Sequence, residues 1–202
     1  MTERAASKLH VPPKELTVVG LYVGLPGTPQ ERLNIDEHGV REDEKHYGPT
    51  RIVNARSRKN YPKPAIGSVE PNWRMFSAIT TEDLNVIQER YDTRYGKHVG
   101  TIRPEWIGPN IVFEGMDNFS KLPDGTLIDF SEGPELRVTS ENTSCKTPGK
   151  LIANKLGLPV EEASLFVRDA DGYRGVVGVV NREGIVEPGM QAKIIFPAPA
   201  IH

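Results

Sequence analysis

The sequence contains one cysteine, Cys145, and its neighbours favour chemistry at sulfur. It lies in the segment ENTSCKTPG, after a predicted strand and before a predicted short helix. The first amides of a helix lack partners within the helix and carry partial positive charge, which together with Lys146 would stabilise a thiolate. A thiolate is both a nucleophile and a soft metal ligand. The alternative is that Cys145 is a small buried side chain with a packing role.

Three further polar clusters could meet this cysteine in the folded chain. The segment HYGPTR offers the titratable His46 and the anion-binding guanidinium of Arg51, although charges in such loops are usually only solvated. Asn110 begins a predicted strand, where its amide could bind the edge of a heterocycle or cap a turn. Arg174 lies between glycines before an apolar strand, which suits either a backbone close to a ligand or a tight hairpin.

Short apolar and β-branched runs predict the strands that must position these residues. The first strand is predicted over 16–23 and ends in the turn sequence GLPG. The later runs are separated by Gly and Pro, and this spacing favours a closed or nearly closed β structure. They predict strands over 51–55, 111–114, 126–130, 136–140, 164–168, 176–180 and 192–196.

Two helices are predicted between these strands. The clearest one covers 81–95, because it follows the sequence TTED, in which a threonine and an acid three residues later can satisfy exposed amides. Gly96 then supplies the left-handed backbone that commonly ends a helix. A short amphipathic helix is predicted over 150–156. The highly charged segment 26–48 predicts long loops around the first strand. Loops of this length are more often functional or mobile than without a role.

The composition limits the classes of function. With 202 residues, 37% hydrophobic and 26% charged, the chain is typical of a globular domain. We expect a single domain over 14–197 with loose ends at 1–13 and 198–202. A net charge of −2 favours neither nucleic acid nor an anionic membrane as a partner. Because no apolar run approaches the roughly 20 residues of a membrane helix and the first residues do not form a secretory signal, a cytoplasmic location is expected.

The polar segments, taken in order, resemble the MOSC family, whose domain occurs at the C-terminus of molybdenum cofactor sulfurases and in small stand-alone bacterial proteins. The resemblance extends from about 18 to 195. It rests on HYG at 46–48 with RIV at 51–53, GPNIVFEGM at 108–116, the segment 139–145, RGVVG at 174–178 and GIVEPGM at 184–190. It implies a mainly β fold, a largely antiparallel MOSC-type β barrel with a few peripheral helices.

The resemblance also implies a molybdenum cofactor, a molybdopterin, as the ligand. Cys145 would then carry sulfur as a persulfide or ligate molybdenum, and His46 would be a second catalytic residue. The residues implied to bind the cofactor are Arg51, Asn110, Asn142, Thr143, Lys146 and Arg174. PLP would act only through a separate sulfur donor, a cysteine desulfurase. Many family members have an arginine and a proline before the cysteine, where this chain has Asn142, Thr143 and Ser144.

Three functions remain open at this point. In the first, Cys145 handles sulfur or molybdenum while Arg51, Lys146 and Arg174 neutralise the pterin phosphate. In the second, the protein is a molybdenum-dependent reductase of N-hydroxylated bases or amidoximes, supplied by an electron-donor protein, and His46 assists protonation. In the third, the protein is a non-catalytic interaction module with a buried structural cysteine. The first two require residues far apart in sequence to line one pocket: His46, Arg51, Asn110, Cys145 and Arg174.

Overall fold

Strand pairing closes a β barrel in the computed structural model, which describes residues 14–54 and 65–198. The strands are β1 (Lys14–Val23), β2 (Thr28–Pro29), β3 (Leu33–Asp36), β4 (Gly39–Val40), β5 (Thr50–Ile52), β6 (Val69–Pro71), β7 (Phe76–Thr80), β8 (Ile111–Glu114), β9 (Leu127–Asp129), β10 (Glu135–Glu141), β11 (Val176–Arg182), β12 (Gly184–Val186) and β13 (Gln191–Ile195). The helices are α1 (Thr81–Tyr95), α2 (Pro104–Ile107), α3 (Lys146–Leu156) and α4 (Glu162–Asp169).

The barrel closes because β1 is long enough to pair with two strands of the same sheet. Lys14 of β1 is the register partner of Ile194 in β13, and Val18 is the partner of Phe113 in β8. The order around the barrel is β1, β13, β9, β10, β11, β7, β8 and back to β1. All neighbouring pairs are antiparallel except β7 and β8, which are parallel and joined through α1. The prediction of a mainly β, largely antiparallel barrel with a few helices is therefore confirmed.

Apolar side chains fill the barrel and also cover part of its outer face beneath the helices. Phe113 belongs to the core inside the barrel, whereas its neighbour Val112 belongs to a second core shared with α1, α3 and α4. Successive residues of a strand face opposite sides of the sheet, so β8 contributes to both cores. Strand β7 is buried along its whole length for the same reason. The end of the barrel next to β7 and α3 is therefore closely packed, as a site that must hold its side chains in place requires.

Helix α4 occupies the segment that was predicted as a strand over 164–168, so that prediction was wrong. The apolar run LFV is too short to show whether its period is that of a strand or a helix. Ala163 and Phe166 are both buried and are three residues apart, which is helical spacing. They pack on α3 at Gly149, where a Cβ would lie 2.7 Å from the Cβ of Phe166. Tertiary packing against α3 therefore decides the conformation of this segment.

The other predicted elements agree with the structure to different degrees. Helix α1 has the predicted bounds, and the Thr80 hydroxyl accepts a hydrogen bond from the Asp83 amide at 3.3 Å. Helix α3 begins at Lys146 rather than at 150, so Cys145 is its N-cap residue. The segment 26–48 is not only loop, because Leu33 and Ile35 alternate into the barrel core and form β3.

Some predictions concern residues that lie outside the described ranges. The strand predicted over 51–55 is represented by β5, which pairs with β6, and Ala55 itself lies outside. The loose ends predicted at 1–13 and 198–202 lie outside as well, apart from residue 198. None of the helices in the described ranges combines the length and the apolar character that crossing a membrane requires.

Candidate functional site

A cavity of about 460 Å³ lies beside the N-terminal end of α3. Six of the residues proposed from the sequence line it: His46, Arg51, Asn142, Thr143, Cys145 and Arg174. Its other walls combine charge with apolar surface, and they are formed by Gly24, Leu25, Asp43, Lys45, Asn54, Trp73, Arg74, Ile107, Gly108 and Pro148. The cavity therefore suits a ligand that has both an anionic and an apolar part.

Strand pairing brings Cys145 and Arg174 to the same end of the barrel. Strand β10 ends where β11 begins, and the Asn142 amide extends their pairing by donating to the Gly175 carbonyl oxygen at 2.8 Å. Gly175 has a φ of +84°, and a Cβ there would lie only 2.0 Å from the carbonyl oxygen of Ala78. Only glycine fits at this position. The glycine next to Arg174 thus serves the close packing of β7 and β11, and the arginine gains its position from that packing.

Arg74, on the segment between β6 and β7, is a cationic residue of the cavity that the sequence did not reveal. Its Nη1 donates to Asn142 Oδ1 at 2.7 Å. Burial, followed by repulsion from Arg174 and Arg51, lowers the pKa of Arg74 to about 9. The guanidinium is still protonated at neutral pH, so three arginines place positive charge around one cavity. Guanidinium groups favour phosphate and carboxylate because their planar N–H groups match two oxygens at once.

Two hydrogen-bond donors of this cavity have no partner among the described residues. Within residues 14–54 and 65–198, Arg74 Nε and Asn142 Nδ2 are buried without a hydrogen bond. An unsatisfied buried donor costs about 1–3 kcal/mol, so such atoms are rare unless a ligand or water completes them. Both residues line the cavity, and an oxygen-rich anion would supply the missing acceptors.

His46 lies at the cavity as part of a buried hydrogen-bond chain with Asp43 and Asn110. His46 Nδ1 is 2.8 Å from Asp43 Oδ2, and Asn110 Nδ2 donates to the same oxygen at 2.9 Å. Burial, together with repulsion from Arg74 and Arg51, lowers the pKa of His46 despite the bond to Asp43. Burial opposes the ionisation of Asp43, but the hydrogen bonds from His46 and Asn110 outweigh it and lower the pKa of Asp43. At neutral pH an ionised Asp43 therefore faces a neutral His46.

Two residues proposed to bind the cofactor do not line the cavity. Asn110 is buried behind Asp43, and its amide donates to Asp43, which itself lines the cavity. Lys146 is exposed at the first position of α3, next to Cys145. Cys145 itself is half-buried and lines the cavity. Its accessibility is compatible with a reacting or metal-binding thiol.

The sequence carried only a weak signal for the residues that were missed. Arg74 lies two residues before the apolar strand β7, as Arg174 lies two residues before β11. That parallel could have suggested a second arginine at the site. Asp43 could not be singled out in the sequence, because it is one of several acidic residues in the charged segment 26–48. Its burial depends on Asn110, 67 residues further along the chain, and local patterns do not show such contacts.

The cationic cavity predicts a ligand-dependent change in stability. Inorganic phosphate should raise the melting temperature of the ligand-free protein, because a ligand that binds only the folded state stabilises it by ~2.7 kcal/mol at a hundred times its Kd. Arg74→Gln should remove most of this increase, as measured by differential scanning calorimetry. The control is Arg137→Gln, which removes the same charge from an exposed site on β10 outside the cavity. Equal increases in the two variants would contradict the assignment of Arg74.

Comparison with known proteins agrees with the fold. The family model of the MOSC domain matches residues 42–193. YuaD of Bacillus subtilis (strain 168), named for metal-sulfur cluster biosynthesis, is 32% identical over 164 residues, which cover 81% of this chain and 80% of YuaD. The crystal structure of YuaD has a TM-score of 0.81 with 29% identity, covering 93% of this chain and 99% of YuaD. Escherichia coli YiiM shares the fold, with a TM-score of 0.57, 15% identity, and coverage of 94% of this chain and 73% of YiiM. The chain therefore belongs to the MOSC domain family.

Proposed function

We propose that the cavity binds a molybdenum cofactor of the molybdopterin type and that Cys145 handles sulfur or molybdenum there. The observation that carries this proposal is the half-buried thiol of Cys145, which shares one cavity with the guanidinium groups of Arg51, Arg74 and Arg174. A thiolate is a soft ligand and a sulfur acceptor, and the arginines suit a phosphate. The name of YuaD, which refers to metal-sulfur cluster biosynthesis, supports a role in metal and sulfur chemistry.

The donors of the cavity fit such a cofactor. The buried Arg74 Nε and Asn142 Nδ2, which lack partners among the described residues, match the acceptor oxygens of a phosphate or a pterin. Leu25, Ile107 and Trp73 add apolar surface on which a flat ring system can pack. Arg74 stays charged although it is buried beside two other arginines. A bound anion would compensate the guanidinium for its lost hydration and would reduce its repulsion from Arg174 and Arg51.

The residues that line the cavity would have different roles toward the cofactor. When bound, the cofactor supplies a redox-active molybdenum centre held by sulfur ligands. Arg51, Arg74 and Arg174 neutralise its phosphate, and Asn142 with Thr143 contacts its polar edges. Cys145 ligates the metal or carries sulfur as a persulfide. In the carrier role a sulfur atom passes from the donor's persulfide to the Cys145 thiolate, and the donor's thiolate leaves, so the step needs no oxidant.

A second candidate function is a molybdenum-dependent reductase of N-hydroxylated bases or amidoximes. His46 at the cavity favours it, because cleavage of an N–O bond to an amine and water consumes two protons as well as two electrons, and a neutral imidazole can take up a proton and pass it on. The electrons would come from a separate electron-donor protein. A purely structural module accounts less well for an arginine cluster around an accessible thiol.

The decisive test is the metal content of the purified protein. Protein from a host that synthesises molybdopterin should contain close to one molybdenum and one pterin per chain, measured by elemental analysis and pterin fluorescence. Protein from a host that lacks the pterin pathway is the control and should contain neither. Equal, negligible contents from both hosts, even after incubation with the isolated cofactor, would overturn cofactor binding and leave the interaction module.

Two further assays separate the candidate functions once molybdenum is found. Release of thiocyanate on treatment with cyanide, after incubation with a cysteine desulfurase and cysteine, indicates a persulfide on Cys145 and favours the carrier. Turnover of an amidoxime with a chemical electron donor favours the reductase. Absence of both activities in the loaded protein would restrict the function to cofactor binding.

A further inference from the structure

The segment that carries His46 is held in place by its backbone as well as by its side chain. The amides of His46 and Tyr47 both donate to the Asp43 carbonyl oxygen at 2.9 Å, which places the side chains of Asp43 and His46 on the same side of a turn. Asn72 Nδ2 donates to the carbonyl oxygens of His46 at 2.8 Å and Gly48 at 2.9 Å. The ring of His46 therefore extends from a fixed turn, as a group that must hold a defined orientation requires.

The partner of this ring is fixed from the barrel. Asn110 Oδ1 accepts hydrogen bonds from the Ser77 amide at 2.8 Å and from the Ser77 hydroxyl at 3.0 Å. Its amide orientation is thereby determined, and its Nδ2 must donate toward Asp43. Asp43, whose side chain is only 5% exposed, receives this bond and the contact with His46 on one oxygen, Oδ2. A connected series of bonds thus runs from β7 through Asn110 and Asp43 to His46.

This series determines which nitrogen of His46 carries the proton. A carboxylate only accepts hydrogen bonds, so Nδ1 of a neutral His46 must be the protonated nitrogen. Burial, and to a smaller extent the positive charges of Arg74 and Arg51, lowers the pKa of His46 and favours the neutral ring. Across the described part of the chain, His46 Nε2 makes no hydrogen bond. Its lone pair is left for the cavity that His46 lines.

We propose that Asp43 is a positioning residue which, held by Asn110, fixes His46 in the Nδ1-protonated tautomer and so presents Nε2 to the cavity as a proton acceptor for the ligand beside Cys145. The inference deepens the proposed function and rests on it only for the identity of that ligand. It adds a requirement to the ligand, which must combine oxygens for the arginines with a polar hydrogen for His46. It also gives Asn110 a role through Asp43 in place of direct contact with the cofactor.

Nitrogen-15 NMR of ligand-free protein labelled at histidine tests the tautomer without any molybdenum. In the wild-type protein His46 should show a protonated Nδ1 and an unprotonated Nε2. Asp43→Ala should transfer much of the proton to Nε2, while Asp43→Asn should retain the wild-type pattern, because an amide oxygen can still accept from both His46 and Asn110. The matched control is Asp92→Ala, which removes an aspartate 2.9 Å from Nδ1 of the exposed His98 and should leave the signals of His46 unchanged.

Chemical modification tests whether Nε2 faces the cavity. Diethylpyrocarbonate acylates an unprotonated imidazole nitrogen, so peptide mapping should find His46 modified in the ligand-free protein and protected by inorganic phosphate bound at the arginines. Circular dichroism of each variant verifies folding. A wild-type His46 protonated at Nε2, an unchanged tautomer in Asp43→Ala, or a His46 that resists the reagent would each overturn the inference. Because none of these measurements involves molybdenum, they stand apart from the metal analysis.

Discussion

Replacement of Cys145 by alanine is expected to abolish molybdenum retention while the barrel stays folded. If Cys145 ligates the metal, its loss should lower the molybdenum content from near one per chain to about a tenth or less, which requires roughly hundredfold weaker binding, or about 2.8 kcal/mol. The fold should tolerate the change, because Cys145 belongs to neither apolar core and its side chain makes no capping hydrogen bond with α3. Elemental analysis and denaturant unfolding of the same samples measure the two effects.

Serine at the same position distinguishes a thiolate ligand from simple space filling. Cys145→Ser preserves the size of the side chain, and a hydroxyl at the N-cap of α3 should if anything stabilise the helix. A hydroxyl is a poor substitute for a soft thiolate, so this variant should lose molybdenum as the alanine variant does. Retention of metal by either variant would contradict the role of Cys145 as ligand, and the cofactor would then have to be held by the arginines alone.

The largest loss of stability is expected from Gly175→Ala. The new Cβ would lie 2.0 Å from the Ala78 carbonyl oxygen, on a residue whose φ is +84°. Overpacking costs about 1–3 kcal/mol and the left-handed backbone about 1–2 kcal/mol, so we expect a decrease of about 3 kcal/mol or more in the free energy of unfolding. Urea denaturation followed by circular dichroism measures it.

A second glycine separates the two contributions to that loss. Gly189 has nearly the same φ, +88°, but a Cβ there would have no heavy atom within 4 Å. Gly189→Ala should therefore show only the backbone cost of about 1–2 kcal/mol. Equal decreases in the free energy of unfolding of the two variants would show that β7 and β11 are not closely packed at Gly175. That packing could then not be what positions Arg174.

Elements whose signals are local could be predicted from the sequence. Helix α1 has a capping threonine before it and a glycine after it, and the strands β8 and β11 contain apolar runs between turn residues. Helix α4 was not predicted because its conformation depends on packing against Gly149 of the preceding helix α3, which lies outside the short apolar run itself. Short apolar runs contain too few residues to reveal a period without that partner.

The candidate site could be predicted only where a residue type is chemically distinctive. Cys145 and His46 stood out because thiols and imidazoles are rare and reactive, and both line the cavity. Arg74 and Asp43 are common charged residues on the surface of most proteins, and their burial here depends on Asn142 and Asn110. Asn110 illustrates the converse, since a polar residue at the start of a strand gave no sign that its amide faces inward toward Asp43.

The pairing of β1 with β13 has a consequence for how this protein matures. The first described strand pairs with the last described one, with register partners such as Lys14 and Ile194 that are far apart in the sequence. Contacts of such long sequence separation form late, because the entropy of closing a large loop must be overcome first. His46 and Arg174 reach one cavity only within that closed barrel, so a ligand of the cavity is inserted only after β13 has been synthesised and paired with β1.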